Sequence, residues 1–468
     1  MFDYRTYALS RLTRLSTKYL PFADVASDDV PMSRLLRLSL FQVTVGMALV
    51  LLVGTLNRVM IVELEVPASL VAVMISLPIL FAPLRAFVGF KSDNHRSALG
   101  LRRFPYIYRG TLLQFGGFAI MPFALLVLSG YGEAIDAPRW IGLSAAGLSF
   151  LLVGAGVHMV QTVGLALATD LVPEEDQPKV VGLMYVMLLV GMIGAAFVFG
   201  ALLQNYSPGR LIQVIQGAAV VTVILNGASM WKQELRSRRV AFDPPSNVEF
   251  STAWRQFASR AGAMRLLIVI ALGTFAFGIA DVVIEPYGGQ VLHMTVSQTT
   301  QLTAVLALGT LVGLAIASNV LGRGLSPIRV CLYGALAGIP GYMAIILASP
   351  MDMASLFVLG TFASGVGAGL FGHGTLTATM RSAPKQQIGL ALGAWGAVQA
   401  TAAGAGVALG GICRDVILGL NGGEGFALEL AYMPVFATQM LFLALALVVA
   451  IPLARLSAGN AEKPGYVT

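Results

Sequence analysis

Twelve apolar runs, each about as long as a helix needs to be to cross a bilayer, constrain this chain more than any other feature. They lie roughly at 38–62, 68–90, 105–129, 140–165, 179–203, 211–231, 264–286, 298–322, 327–349, 353–378, 387–412 and 431–456. About 20 mostly apolar residues in helical conformation span the hydrocarbon core, and a lipid-exposed backbone must satisfy its polar groups internally, which leaves each run helical. Composition agrees: 57% of the 468 residues are hydrophobic and 11% charged, with a mean hydropathy of +0.79, against roughly 25% charged in soluble domains. The expected fold class is an all-α membrane protein with twelve transmembrane helices and little chain left for a soluble domain.

The net charge of +7 belongs to membrane orientation rather than to a nucleic-acid partner. Counting from an amino terminus inside, 24 of the 30 Lys and Arg fall in inside segments, six of them before Leu38 and seven at 232–265. By the positive-inside rule this predicts an N-in, C-in topology. Cys331 falls within a predicted span and Cys413 at the end of another, at unrelated positions, so they are read as packing residues that form neither a metal site nor a disulfide framework. No cleavable signal is expected, because the first apolar run starts only near residue 38. Before it, Tyr4, Tyr7, Leu12, Leu15 and Tyr19 fall near one helical face with Arg5, Arg11, Arg14 and Lys18 around the others. That pattern suits an interfacial helix on anionic lipid, with a basic tail as the competing reading.

The longest hydrophilic interior stretch, residues 231–265, divides the spans six and six. The expected organisation is a cytoplasmic N-terminal segment at 1–37, a six-helix half at 38–231, a cytoplasmic linker at 232–263, a second half at 264–456 and a tail at 457–468. An internal repeat supports it. At an offset of 224, Gly54 meets Gly278, Asn57 meets Asp281 and Arg109-Gly110 meets Tyr333-Gly334; at 210, Ala168-Thr169 meets Ala378-Thr379. Two six-span halves joined by a central linker are the architecture of the major facilitator superfamily. The loop "GFKSDNHRSALGLRR" resembles that superfamily's signature through Gly89, Asp93, Gly100, Arg102 and Arg103, with extra residues between Asp93 and Gly100. Its expected role is a charge latch at one end of the bundle; an ordinary basic loop is the alternative.

Several strings together resemble one branch of that superfamily. They are "LPFADVASDDVPMSRLLRLSLFQVTVGMALVLLVGTLNRVMIVEL" at 20–64, "SLVAVMISLPILFAPLRAFVGFKSDNHRS" at 69–97, "RRFPYIYRGTLLQFGG" at 102–117 and "EPYGG" at 285–289. They look like the bacteriochlorophyll delivery family, the PucC/LhaA-like light-harvesting assembly factors, along essentially the whole chain. The resemblance implies a multi-pass protein of the bacterial inner, intracytoplasmic photosynthetic membrane that brings bacteriochlorophyll, the implied cofactor, to antenna polypeptides. Pigment-synthesis enzymes are further partners to consider. Whether the client is the core or the peripheral antenna, and whether the chain self-associates, is left open.

The candidate sites begin with "GTLNRVMIVEL", where Asn57 and Arg58 enter an apolar run before it has finished. A charge in hydrocarbon costs at least about 2.5–3.5 kcal/mol unless it is partnered or wetted. The repeat sets Arg58 near Asp281 and Glu285 in height, which predicts a cavity charge pair between the first and seventh spans; the alternative is that Arg58 snorkels to the surface. Breaking a buried pair by removing one partner costs about 3–5 kcal/mol, so these charges are expected to act together. Arg85, in the second span, is expected to pair structurally with Asp93 or a nearby loop. His158 and His373 are the histidines inside cavity-type spans and, given the resemblance, the candidate axial ligands of a chlorin magnesium, although magnesium generally prefers oxygen donors. Gly365, Gly367, Gly369, Gly372 and Gly374 strip side chains from the helix around His373, leaving a surface for a macrocycle or for another helix. The glycines Gly406 and Gly410 suit packing inside the bundle or against a client helix. Asp170, Glu174, Glu175 and Asp176 either dock a basic client tail or pair with the chain's own cations.

No nucleophile elbow, P-loop, zinc-ligand spacing or dinucleotide fingerprint appears in a supporting context, so no enzyme is expected. Two functions are carried forward: an assembly factor that binds bacteriochlorophyll and hands it to antenna polypeptides, and a proton-coupled transporter of a small lipophilic solute with Asp281 and Glu285 as proton carriers.

Overall fold

The structure, a computed structural model, describes residues 30–78, 85, 88, 92, 101, 103–130, 134, 136–173, 176–234, 255, 258–260, 262–382, 388–420 and 426–461. The N-terminal amphipathic segment, most of the linker, and Gly89, Asp93 and Arg102 of the loop signature lie outside those residues. Among the described residues every regular element is helical: α1 (Met32–Glu63), α2 (Ala68–Ser76), α3 (Phe104–Ser129), α4 (Arg139–Asp170), α5 (Gln177–Leu202), α6 (Pro208–Met230), α7 (Ala263–Gln290), α8 (Val296–Gly322), α9 (Pro327–Ala348), α10 (Ala354–Ser382), α11 (Ile388–Leu420) and α12 (Phe426–Ala461). Eleven of these are long and apolar enough to cross a membrane; the second run is described only as far as α2 and a few isolated residues. The chain is a multi-pass membrane protein. Large apolar side chains such as Phe123, Ile224, Leu359 and Val448 stand exposed on the helices, as lipid contact requires. Trp140 and Trp231 are exposed at the first turn of α4 and just past α6, where indoles favour the membrane–water interface.

The helices gather into two compact units, Met1–Leu49 with Pro83–Ala195 and Ser207–Asp243, and Val50–Ala82 with Ala196–Tyr206 and Pro244–Thr468. In the first unit a polar relay ties three helices together. Thr44 of α1 donates to Asn226 Oδ1 of α6 at 2.7 Å, and Asn226 Nδ2 donates to Thr111 Oγ1 of α3 at 3.0 Å. In the second unit an apolar core centres on Tyr287, Tyr342, Phe357, Tyr432 and Phe436, all under 2% exposed.

Helices in lipid gain little from hydrophobicity toward one another, so close approach of backbones supplies the packing, and small residues permit it. Gly110 and Gly117 of α3 lie against Gly156, Ser149 and Val153 of α4; Gly334 and Gly341 of α9, each 224 residues on, lie against Gly367, Gly360 and Ser364 of α10. The duplication inferred from sequence therefore recurs as the same glycine-on-glycine crossing in each unit. A second crossing, of α8 on α10, brings Gly309 and Gly313 against the backbone of Phe362 and Val366, and Gly365 and Gly369 against that of Leu306 and Thr310.

A side chain introduced there would strike backbone carbonyls that cannot move aside. Gly313→Val is expected to lower stability by about 1–3 kcal/mol, the usual scale of overpacking. Gly147→Ala, which meets nothing within 4 Å, is expected to leave it unchanged. Reversible unfolding in mixed micelles checks the pair, and equal effects would refute the crossing.

Candidate functional site

α1 changes winding where its sequence turns polar. Val50–Leu56 and Val59–Glu63 are wound as π-helix, an arrangement that is rare and concentrated at functional sites. Asn57 and Arg58 sit at the junction, fully buried and 4% exposed respectively.

The reason for Asn57 lies in α7. Pro286 lacks an N–H, so the carbonyl four residues earlier, that of Val282, loses its helical donor. In hydrocarbon an orphaned carbonyl is costly. Asn57 Nδ2 donates to that carbonyl at 3.1 Å and lies 3.5 Å from the carbonyl of Asp281. A side chain from α1 thus replaces the hydrogen bond that proline deletes from α7.

The rest of "EPYGG" is accounted for in the same neighbourhood. Glu285, 4% exposed, accepts the hydroxyl of Thr303 in α8. Gly54 of α1 leaves the space that Glu285 fills, since a Cβ there would collide with Glu285 and Thr303. Tyr287 is enclosed by Phe357, Tyr432 and Phe436 at ring separations of 5.5, 5.4 and 5.3 Å. At Gly289 a Cβ would come within 3.0 Å of Arg58 Nε, so the glycine lets the guanidinium lie on α7.

Arg58 has two direct partners. It pairs with Glu63 one turn on in α1, and its Nη2 donates to the Met294 carbonyl beyond α7 at 3.2 Å. Glu285 stands near enough to feel the guanidinium charge, but its direct partner is Thr303. Asp281 lies one turn before Glu285 on α7. Arg58 Nε and Glu285 Oε2 are buried without a hydrogen-bond partner, which leaves donor and acceptor capacity in the cluster. Tyr206, between α5 and α6, borders it: burial, then Glu63, push its phenol up to about 12 against the lowering influence of Arg58. Glu63 escaped the sequence reading because it ends the apolar run, yet its five-residue separation from Arg58 is the spacing a π turn brings together.

At the last residue of α7, next to Gly289, lies a second network that the sequence did not reveal. Gln290 Oε1 accepts from Arg414 Nη2 at 2.7 Å and from Tyr432 at 2.6 Å, while Asp415 accepts from Arg414 Nη1 at 2.7 Å and from the Ser69 amide at 2.6 Å. Arg414 and Asp415, adjacent in α11, therefore fasten α2, α7 and α12.

The remaining sequence candidates fall as follows. In the first unit Arg103, of the loop signature, is buried and bonds Asp170 Oδ2 at 3.0 Å and Ser92 Oγ at 2.6 Å. Backbone amides of Arg103 and Phe104 meet Glu234 at 2.9 Å each. The acidic run is internally paired as far as it is described, through Asp170 with Arg103 and Asp176 with Lys179 at 3.1 Å. Arg85 takes its partners from α4, Gln161 and Thr162. His158, on the same helix, has a buried Nδ1 without a partner. In the second unit His373 is half-buried on α10. The glycines flanking it at 365, 367, 369 and 374 are occupied by α8 and α9, whereas Gly372 faces open space. Gly406 and Gly410 of α11 pack on Phe275 and Ile279 of α7, inside the bundle. Among the described residues no group of His, Cys, Asp and Glu is placed to hold a metal ion.

Comparison with known proteins places this geometry. The sequence model of the family described as "PUCC protein" matches residues 55–458. "Protein PucC" of Rhodobacter capsulatus is 64% identical over 454 residues, covering 96% of this chain and 98% of that one. "Bacteriochlorophyll synthase 44.5 kDa chain" of the same organism is 27% identical over 396 residues, covering 82% and 88%. Among solved structures, a bacterial homologue of the human lysosomal transporter Spinster, inward-facing and unoccupied, superposes with a TM-score of 0.68 at 17% identity, covering 93% of this chain and 99% of that chain. At that identity the likeness shows the fold, which is of the major facilitator type.

The Asn57–Val282 bond is tested by a double-mutant cycle. Asn57→Leu is expected to cost about 1 kcal/mol, the scale of interhelical hydrogen bonds in membranes. Pro286→Ala gives residue 286 an N–H for the Val282 carbonyl, so in that background the cost should fall by at least half. An unchanged cost would refute the bond's assignment.

Proposed function

Since the chain belongs to the PUCC protein family, we propose that it is a non-enzymatic membrane assembly factor that binds bacteriochlorophyll and delivers it to, or holds it with, light-harvesting antenna polypeptides. The observation that carries this reading is the match of the family model to residues 55–458, together with 64% identity to a protein PucC over nearly the full length of both chains. The name of a more distant relative, a bacteriochlorophyll synthase chain, supports the pigment. The N-in, C-in orientation and the division into halves at 38–231 and 264–456 are part of the same proposal. Its location would be the intracytoplasmic photosynthetic membrane.

In this reading His158 and His373 are the candidate pigment ligands. His158 is favoured by chemistry: its buried Nδ1 lacks a partner, and a neutral imidazole with a free nitrogen is a ligand in waiting. His373 is favoured by space, beside the open flank at Gly372. The cluster of Arg58, Asp281 and Glu285 would bias a conformational cycle, and Arg103 with Asp170 would hold one end of the helices as a latch.

The second reading, a proton-coupled transporter of a lipophilic solute, is favoured by one observation. Glu285 is a buried carboxyl with an unpartnered oxygen on α7, a position suited to carrying a proton.

The two readings separate in one preparation. Purified in mild detergent from a pigment-producing host, the protein is expected to show stoichiometric near-infrared absorbance, which shifts or is lost in His158→Ala or His373→Ala. A colourless wild-type preparation that drives solute flux dependent on a pH gradient, with the flux abolished by Glu285→Gln, would replace the assembly-factor reading with the transporter.

A further inference from the structure

The first unit contains an arginine that no described residue of opposite charge answers. Arg85 lies in the second apolar run and is partly buried. Its Nε donates to Thr162 Oγ1 at 3.0 Å and its Nη2 to Gln161 Oε1 at 3.1 Å, both on α4. Both acceptors are neutral. Among the described residues no carboxylate pairs with it, in contrast to Arg58, Arg103 and Arg414, whose guanidinium groups each meet an acid. Charged side chains inside membrane spans mark ligand or ion pathways when they are not consumed by structural pairing.

The residues around it add donors rather than acids. His158 lies one turn before Thr162 on α4, so both share the helix face that Arg85 approaches, and its Nδ1 is buried with no partner. Tyr185 of α5 is within electrostatic reach of Arg85 and supplies a phenol. Gln161 and Thr162 hold the guanidinium by its Nε and Nη2, which leaves the Nη1 donors without a described partner. One fixed positive charge, a planar fork, an imidazole and a phenol form a set of donors matched to an oxyanion.

We propose that Arg85, His158, Gln161, Thr162 and Tyr185 form a binding site for the oxyanion of an amphiphile, a carboxylate or phosphodiester carried on a lipophilic body. The site discriminates charge at the head and little in the tail, because its five members are all polar and the apolar body would rest among the spans. It shares His158 with the pigment reading: a ring nitrogen that donates to an oxyanion cannot at the same time ligate a chlorin, so the two occupants would compete there, while Arg85, Gln161 and Thr162 serve the anion alone.

The test uses the full-length protein in a neutral maltoside detergent and three probes: oleate, methyl oleate and phosphatidylglycerol, followed by calorimetric titration and by ligand-induced thermal stabilisation. Oleate or phosphatidylglycerol should bind, methyl oleate at least tenfold more weakly than oleate where oleate binds, and Arg85→Gln should weaken the bound anion at least tenfold. Oleate binding alone assigns a carboxylate amphiphile; phosphatidylglycerol binding alone assigns a membrane phospholipid; both uphold the site. Arg85→Lys retains the charge while losing the fork, so it serves if Arg85→Gln does not fold, and it should weaken the anion several-fold without altering methyl oleate. Failure of the wild type to bind either anion, equal binding of acid and ester, or undiminished anion binding in the Arg85 variant that folds would overturn the proposal.

Discussion

The hydrogen bond from Asn57 to the carbonyl of Val282 is the interaction from which the second unit is best understood. Lipid offers no water to an unpaired backbone group, and Pro286 creates one in the C-terminal turns of α7. A proline there is tolerated because a neighbouring helix supplies the missing donor. That demand explains why α1 admits an amide inside an apolar run, and the amide in turn brings α1 against α7 closely enough that Gly54 must lack a side chain beside Glu285. Arg58 follows as the next residue, with Glu63 and the Met294 carbonyl as its partners and Gly289 clearing its path. The π winding on either side of Asn57 and Arg58 belongs to the same adjustment, since widening the turn lets residues five apart, such as Arg58 and Glu63, meet.

Away from that point the bundle is held by shape. Gly110 with Gly156 and Gly334 with Gly367 form equivalent crossings in the two units, and the backbones touch where any side chain would separate them. Dispersion between close backbones is small per atom pair and large in sum, which is why glycine rather than leucine marks these contacts. The glycine-rich stretch of α10 looks from sequence like a vacant surface near His373. Most of it is spent on α8 and α9, and only the flank at Gly372 remains open.

Eleven of the twelve expected spans are described as long apolar helices, and they were legible in the sequence because hydropathy and the need for internal hydrogen bonding are both local properties. The duplication is legible at Gly110 and its counterpart Gly334, since both carry a close helix contact that a repeat cannot easily lose, whereas Gly54 and Gly278 meet different neighbours. The polar site was legible only in part. Arg58 and Glu285 stand out as charges in apolar runs, but Glu63 hides at the end of one, and the partnership of Asn57 with Pro286 requires knowing that α1 and α7 touch. Arg85 illustrates the same limit. Its expected partner, Asp93 or a nearby loop, lies outside the described residues, and the partners that are described, Gln161 and Thr162, are far away in sequence and neutral. Local patterns report which groups need partners; the packing decides who they are.

The two units carry the same glycine scaffold and different polar chemistry. In the second, the buried arginines are answered by acids: Arg58 by Glu63, and Arg414 by Asp415. In the first, Arg103 is answered by Asp170, while among the described residues Arg85 has amide and hydroxyl partners. A buried ion pair is largely self-contained, because each charge satisfies the other and removing either leaves the survivor stranded. A cation held by neutral groups keeps its field unspent. The shared glycine crossings therefore account for how the helices pack, and the polar groups those crossings leave without an opposite charge are where binding chemistry is to be sought.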